Sequence, residues 1–196
     1  MKNLIIFSFL FTVVGMSAQL EIRPAAGLIW ASFEDVVDLD FTTNTGYSLG
    51  ADLLIGSRVY IQPGLHYEGK RLTIDDVSGT YDLNMNRFTI PVMLGYRFFP
   101  MDNDWLNVRI FTGPTASFLL SVDDDESPFN IDRDDFSNAT FDWNAGLGLD
   151  LSIFFINAGY RFGLSDLFDE FDIGGTNVSA GSYNVFYANA GLRIRF

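Results

Sequence analysis

Counting back from Phe196 in steps of two, the chain reads Ile194, Leu192, Ala190, Ala188 and Phe186, all apolar. The positions between are Arg195, Arg193, Gly191, Asn189 and Tyr187. A period of two defines a β-strand with one apolar and one polar face. Arginines turned into a soluble core would be costly to bury. In a transmembrane barrel, by contrast, the apolar face meets lipid and the arginines face a polar lumen. Phe196, with Ile194 and Leu192 behind it, therefore reads as the terminal aromatic signal that such barrels present to their insertion machinery.

Seven further segments alternate in the same way. Leu20–Phe33 sets Ile22, Pro24, Ala26, Leu28 and Trp30 on one face, and Gly46–Gly56 sets Tyr47, Leu49, Ala51, Leu53 and Ile55 against Ser48, Gly50 and Asp52. Residues 58–74 place Val59, Ile61, Pro63, Leu65 and Tyr67 opposite Arg58, Tyr60, Gln62, Gly64, His66 and Glu68. The stretch 86–99 follows suit, and 105–121 does so less cleanly, with Val108 and Ile110 opposite Asn107 and Arg109. The pattern is clearest over 140–151, where Phe141, Trp143, Ala145, Leu147, Leu149 and Leu151 alternate with Asp142, Asn144, Gly146, Gly148 and Asp150. Residues 154–164 complete the set. Segments of this length suit tilted strands crossing a bilayer.

The expectation is thus an all-β, eight-stranded antiparallel transmembrane barrel of the small OmpA/OmpX size, its narrow lumen filled by side chains. Ten strands are the alternative, should the third or fourth long connection add a hairpin. Inward Asp52, Glu68, Asp142 and Asp150 are expected to pair with inward Arg87, Arg97, Arg109, Arg161 and Arg193, because buried charges persist only when paired. A plug of salt bridges follows, not an open pore.

The connections alternate as well. Those at 56–57, 100–104 and 151–153 are short, whereas 34–45, 75–84, 123–138 and 165–182 are long. Short periplasmic turns and long external loops are the outer-membrane pattern, with both termini periplasmic. The four long segments hold 18 of the 25 acidic residues and one basic residue, Arg133, so most of the net charge of −13 sits on one rim. Such a rim attracts cations and basic partners. The basic footprint of a nucleic-acid binder is missing.

At the other end, Lys2, the apolar run from Leu4 to Val14 and the small-residue site Met16-Ser17-Ala18 read as a signal peptide over residues 1–18, leaving 19–196 as the barrel domain. The run is too short to span a membrane as a helix. The chain has no cysteine, which excludes disulfides, thiol catalysis and Cys-ligated zinc. Its 20 Phe and 8 Tyr, with no apolar stretch of helix-spanning length, favour strands as the crossing elements.

The run Arg87-Phe88-Thr89-Ile90-Pro91-Val92-Met93-Leu94-Gly95-Tyr96-Arg97-Phe98 resembles a strand of the PorT-like small outer-membrane barrels common in Bacteroidota. Asn157-Ala158-Gly159-Tyr160-Arg161-Phe162-Gly163-Leu164-Ser165-Asp166-Leu167, the preceding Gly146-Leu147-Gly148 and the Ala18-Gln19 junction are similar to that family too. The resemblance implies fold and outer-membrane location. Members are mostly of unknown function, with one lineage implicated in type 9 secretion, so the resemblance speaks to fold and location only.

Candidate chemistry is sparse. His66, the lone histidine, points into the lumen beside Glu68 and reads as a satisfied interior residue. A hydrolase would need it near the rim beside a nucleophile. The acidic run Asp123, Asp124, Asp125 with Asp134 and Asp135 fails the EF-hand pattern, because Pro128 stands where that loop needs glycine. The run reads as a solvated acidic loop, with loose divalent-ion bridging to lipopolysaccharide phosphates as the alternative. No catalytic residue or cofactor is assigned. The expected role is a non-enzymatic envelope or partner-binding barrel, the alternative a small lipid-modifying or proteolytic barrel enzyme. Replacing Phe196 with Asp should sharply lower the amount of assembled barrel recovered from membranes; wild-type levels would refute the terminal signal.

Overall fold

The structure, a computed structural model, describes residues 19–33, 41–43, 45–76, 79–99, 105–124, 139–164, 171–173, 176–178 and 183–196. The leader read over residues 1–18 lies outside them. Among the described residues twelve strands occur in chain order: β1 (Leu20–Phe33), β2 (Phe41–Thr43), β3 (Gly46–Gly56), β4 (Val59–Asp76), β5 (Gly79–Arg97), β6 (Leu106–Asp124), β7 (Ala139–Leu151), β8 (Phe154–Gly163), β9 (Phe171–Ile173), β10 (Thr176–Val178), β11 (Tyr183–Leu192) and β12 (Ile194–Arg195). No helix occurs among the described residues.

Eight staves close the barrel, because β12 continues β11 past Arg193. Each neighbour in the sequence β1, β3, β4, β5, β6, β7, β8, β11 pairs antiparallel with the next, and β11 returns to β1. At the seam Trp30 faces Phe186 and Ala26 faces Ala190. Ile22 faces Ile194, and the Phe196 N–H donates to the Leu20 carbonyl at 3.0 Å. Closure leaves no backbone edge to meet lipid, which is what a spanning sheet requires. The fourth long connection does carry a hairpin, β9–β10, but it forms a separate two-stranded sheet and inserts no stave. Eight therefore stands against ten.

Burial alternates along the staves as read: in β7, Phe141, Trp143 and Leu147 are exposed while Thr140, Asp142 and Asn144 are buried. The irregular part of β6 has its cause in side chains that break the code in both directions. Phe111 and Leu119 turn inward and are buried, while Thr112 and Pro114 turn outward. Thr112 satisfies its hydroxyl by donating to the Asn144 carbonyl at 2.8 Å and accepting from Trp143 Nε1 at 2.9 Å. A register shift at Asn86/Arg87 opposite β6 adds to the irregularity.

One expectation fails. Residues 75–84 do not form a long loop: β4 and β5 pair continuously out to Asp76 and Gly79, so Asp75, Asp76 and Asp82 belong to strands. The β-branched and aromatic residues of Leu72-Thr73-Ile74 and Thr80-Tyr81 suit a pleated ladder. β2 pairs with the other edge of β4 at Leu72, Thr73 and Ile74. With 18, 19 and 19 residues, β4, β5 and β6 are far longer than the roughly 9–11 that cross a bilayer. They project as a raised wall at the end away from the termini.

Large inward aromatics are accommodated by cross-strand glycines. Tyr60 lies over Gly95, Phe111 over Gly146, Phe155 over Gly191 and Tyr187 over Gly159, each the directly opposite residue. A Cβ on any of these glycines would run into the ring. The rings thus lie flat on the wall and leave the axis to polar groups. Gly146→Val should push Phe111 off the wall and cost about 1–3 kcal/mol. Urea unfolding of the refolded barrel measures this, with lipid-facing Leu147→Val as the near-neutral comparison.

Candidate functional site

The lumen is the one place where chemistry-bearing side chains gather among the described residues, and it is organised in three levels. The first lies at the end carrying the termini. Glu21 and Arg23 on β1, Arg97 on β5, Arg109 on β6 and Asp150 on β7 all point inward, as the outward phase of Ile22 and Pro24 on β1 dictates for the first pair. All five are 2% exposed or less.

Glu21 and Asp150 are the acceptors. Glu21 receives Arg23 Nε at 2.9 Å, Arg97 Nη2 at 2.8 Å and Arg193 Nη2 at 3.0 Å, with Arg195 Nε at 3.2 Å. Asp150 takes Arg23 Nη2 on both oxygens at 2.9 Å and Arg109 Nε at 3.0 Å. Arg109 also donates to Tyr60 Oη at 3.1 Å and Asn157 Oδ1 at 2.7 Å. Arg23 stacks on the Phe155 ring at 4.8 Å, and Arg97 and Arg109 lie over Tyr60 at 5.6 and 5.8 Å. Guanidinium planes suit both contacts, since they fork onto carboxylates and lie weakly hydrated on ring faces.

Arg193 is held by the turn into the neighbouring stave β8, donating to the Ser152 carbonyl at 2.9 Å. Ser152 occupies the two-residue turn between β7 and β8 with φ of 55°, a left-handed conformation uncommon outside glycine, asparagine and aspartate. The short turn thereby aims a carbonyl into the mouth.

The second level, at mid-barrel, carries His66, whose Nε2 lies 2.9 Å from Asp52 Oδ1. Asp52 pairs with this ring and not with an arginine, which corrects the expected partner. The strands explain it: Asp52 faces Gly64 in the ladder, so the imidazole two positions along β4 leans diagonally over a residue with no side chain. Beside the pair is a cavity of about 40 Å³ lined in part by Gln62, Thr115, Asn144 and Asn189. That is room for a few waters.

At the third level Arg161 donates to Glu68 Oε2 at 2.8 Å, and Lys70 Nζ stands 4.0 Å from the same oxygen. Arg87 donates to Thr140 Oγ1 at 3.1 Å, and Tyr187 Oη to Asn144 Oδ1 at 2.9 Å. Asp142 is buried at this level.

The expected plug is therefore present with its partners partly reassigned. Asp150 meets Arg109, and Glu68 meets Arg161. Arg97 and Arg193 go to Glu21, a residue outside the expected set, as are Arg23 and Lys70. The alternation of β1 carried the missing signal, since fixing Ile22 and Pro24 outward fixes Glu21 and Arg23 inward. Of the acidic loop residues, Asp123 and Asp124 belong to β6, paired with Asn84 and Leu83. Asp125, Asp134 and Asp135 lie outside the described residues. No cluster of His, Cys, Asp or Glu suited to a metal occurs among the described residues. Leu192, Ile194 and Phe196 face outward and are exposed.

Comparison with known proteins agrees with this architecture. Residues 17–169 match the family described as outer membrane protein beta-barrel domain, and the chain belongs to that family. The fold is similar to that of the outer membrane protein OprG from Pseudomonas aeruginosa, with a TM-score of 0.65 at 12% identity over 92% of this chain and 96% of that one. A weaker likeness is to Ail, the attachment invasion locus protein of Yersinia pestis, solved with the heparin analogue sucrose octasulfate. There the TM-score is 0.48 at 14% identity, over 91% of this chain and all of that one (100%). No curated protein sequence matches significantly.

Removing one acceptor from the ionic lattice leaves buried cations uncompensated. Asp150→Asn should lower the unfolding free energy by about 3–5 kcal/mol, the usual cost of breaking a buried pair. Urea titration in micelles tests it; a loss near zero would mean the lumen is freely hydrated.

Proposed function

We propose that the chain is a non-enzymatic outer-membrane barrel that displays acidic loops to an envelope partner, with its termini on the periplasmic side. The observation that carries this reading is the lumen. Arg23, Arg97 and Arg109 are among its largest fully buried side chains; Arg97 reaches Glu21 and Arg23 reaches Asp150 from non-adjacent staves, while Arg109 ties Asp150 from the neighbouring β6. A barrel so bolted is a rigid stand and not a conduit. Binding specificity then falls to what the stand displays: the raised β4–β6 wall and the loops, where 18 of the 25 carboxylates of the sequence lie. Such a surface favours a basic partner or one reached through divalent cations, including lipopolysaccharide phosphates. The location implied by the resemblance to PorT-like barrels of Bacteroidota favours a partner within the envelope, of which the secretion apparatus is a part. The signal-peptide reading of residues 1–18 and the aromatic terminus support delivery to the insertion machinery.

An enzyme of the barrel type would need an accessible histidine. His66 is 6% exposed and engaged with Asp52. Planar-bilayer recording should give no stable porin-sized conductance, and cross-linking in native membranes should trap a defined partner equally in wild type and His66→Ala. A large steady conductance would overturn the closed-lumen reading. Hydrolysis of lipid or peptide that disappears in His66→Ala would overturn the non-enzymatic one.

A further inference from the structure

Proline is ordinarily kept to edge strands, because it has no N–H to give a ladder, and a closed barrel has no edge. Yet Pro24 lies within β1, Pro63 within β4, Pro91 within β5 and Pro114 within β6. Each coincides with a break in one ladder. β3 and β4 pair at Asp52↔Gly64 and next at Ile55↔Ile61; β4 and β5 pair at Pro63↔Val92 and next at His66↔Thr89. β5 and β6 pair at Pro91↔Thr115 and next at Leu94↔Thr112, and the seam breaks likewise between Ala25↔Gly191 and Ile22↔Ile194. Register is the same on both sides of every break, so no residue is inserted. The two missing pairs in each case are the two that share one bond, the bond the proline would have donated. The ladders β1–β3, β6–β7, β7–β8 and β8–β11, where no such bond is owed, run without a break.

Each break leaves a carbonyl without its ladder donor: Leu53 opposite Pro63, Gly64 opposite Pro91, Val92 opposite Pro114 and Leu192 opposite Pro24. The first three form one diagonal line across neighbouring staves, because Pro63 faces the residue after Pro91, and Pro91 faces the residue after Pro114. Unmet backbone groups are costly in hydrocarbon, where no solvent can replace the bond. The line borders the mid-barrel chamber, whose lining includes Pro91, Met93 and Thr115. At Gly113, between the buried Phe111 and Thr115, the place a Cβ would take lies against the Val92 carbonyl oxygen. Over Gly64 lies the Asp52 carboxylate, which brings no donor while ionised. Thr115 is 1% exposed, and its Oγ1 has no partner among the described residues. A polar space with room for a few waters thus adjoins several stranded acceptors, and a buried water needs two to four such partners.

We propose that the mid-barrel chamber is a bound-water site that donates to the Val92 carbonyl and to Thr115 Oγ1 in place of the missing ladder bond, and that the proline line across β3 to β6 is where the spanning sheet opens first. Strands held by water in place of direct bonds part more readily, because the water exchanges while the ladder cannot re-form across a proline. β4, β5 and β6 are also the staves that rise as the wall, so the raised surface stands on the least firmly bonded line of the sheet. Opening of this kind separates strands locally and leaves Glu21, Asp150 and Glu68 paired with their arginines.

The test is amide hydrogen exchange, read by NMR on the full chain refolded in micelles. His66, Thr89, Leu94 and Thr112, which border the breaks, are compared with Leu147 and Ala158 in the unbroken β7–β8 ladder. The bordering amides should exchange at least about fivefold faster, the effect of one lost hydrogen bond. Pro114→Val and Pro63→Val each restore a donor at a lipid-facing position that suits valine. Pro114→Val should slow Leu94 and Thr112 while His66 and Thr89 stay as they were, and Pro63→Val should slow Ile55 and Ile61. Rotating-frame Overhauser contacts from water to the Met93 amide should be present in wild type and weaken in Pro114→Val, where the new N–H takes the Val92 carbonyl. Equal exchange in broken and unbroken ladders overturns the opening line, and that wild-type comparison stands without either variant. Uniform slowing at every site in Pro114→Val overturns it too, since only global stability would then have moved. No water contact at Met93 in wild type overturns the bound-water site.

Discussion

Glu21 is the residue on which closure of the barrel turns. It belongs to the first stave, yet it accepts arginines from β5 across the lumen and from both sides of the β11–β12 junction on the last stave. The backbone seam between β1 and β11 would close the sheet in any sequence with matched edges. What this carboxylate adds is register. A slip by one residue would turn Glu21 and Arg23 into lipid and leave Arg97, Arg109 and Arg193 without acceptors. Placing a charge in hydrocarbon or stranding it unpaired costs several kcal/mol. The ionic lattice therefore matters less for the net stability it contributes than for the misfolded alternatives it penalises.

The wall makes room for that lattice. An eight-stranded lumen cannot hold bulky rings and a crossed set of guanidiniums on the same axis. The opposite-strand glycines let Tyr60, Phe111, Phe155 and Tyr187 press flat, and two of those rings then become surfaces for Arg23, Arg97 and Arg109. Aromatic, glycine and arginine are thus one device spread over three residue types. The glycines serve as seats for aromatic neighbours, and a reading that treated them only as flexible positions would miss this.

The staves were readable because the bilayer imposes a period of two with one apolar face, and no soluble packing competes with it. The exceptions were physical. Asp75, Asp76 and Asp82 suggested a loop because acidic residues are poor strand formers, but the hairpin is held on both edges of β4 by β2 and β5. Which partner each buried charge would choose was harder. Alternation says that Asp52 faces inward, while the diagonal offset between β3 and β4 decides that it meets His66, and no spacing along one strand encodes that. Glu21 and Arg23 were within reach of the same alternation that placed Ile22 and Pro24. A strand period carries no information about the chemistry of the acidic connections.

Charge is segregated along the barrel axis, and this bears on assembly in the proposed orientation. Residues 34–45, 75–84, 123–138 and 165–182, connections and strand extensions together, carry 18 carboxylates and one arginine, while five arginines crowd the terminal end. Carboxylates cannot cross hydrocarbon singly at reasonable cost, so the acidic loops have to pass the bilayer while the sheet is still open. The arginines impose the opposite demand: they need Glu21 and Asp150 in place before the lumen dries. Both conditions are met if β1 is kept available until the last stave arrives to pair with it. A strand ending in Arg193, Ile194, Arg195 and Phe196 joins the two roles, its outer face presenting the exposed aromatic and its inner face delivering the guanidiniums to Glu21. Lipid-facing closure and lumen-facing neutralisation are thereby completed in one closing step.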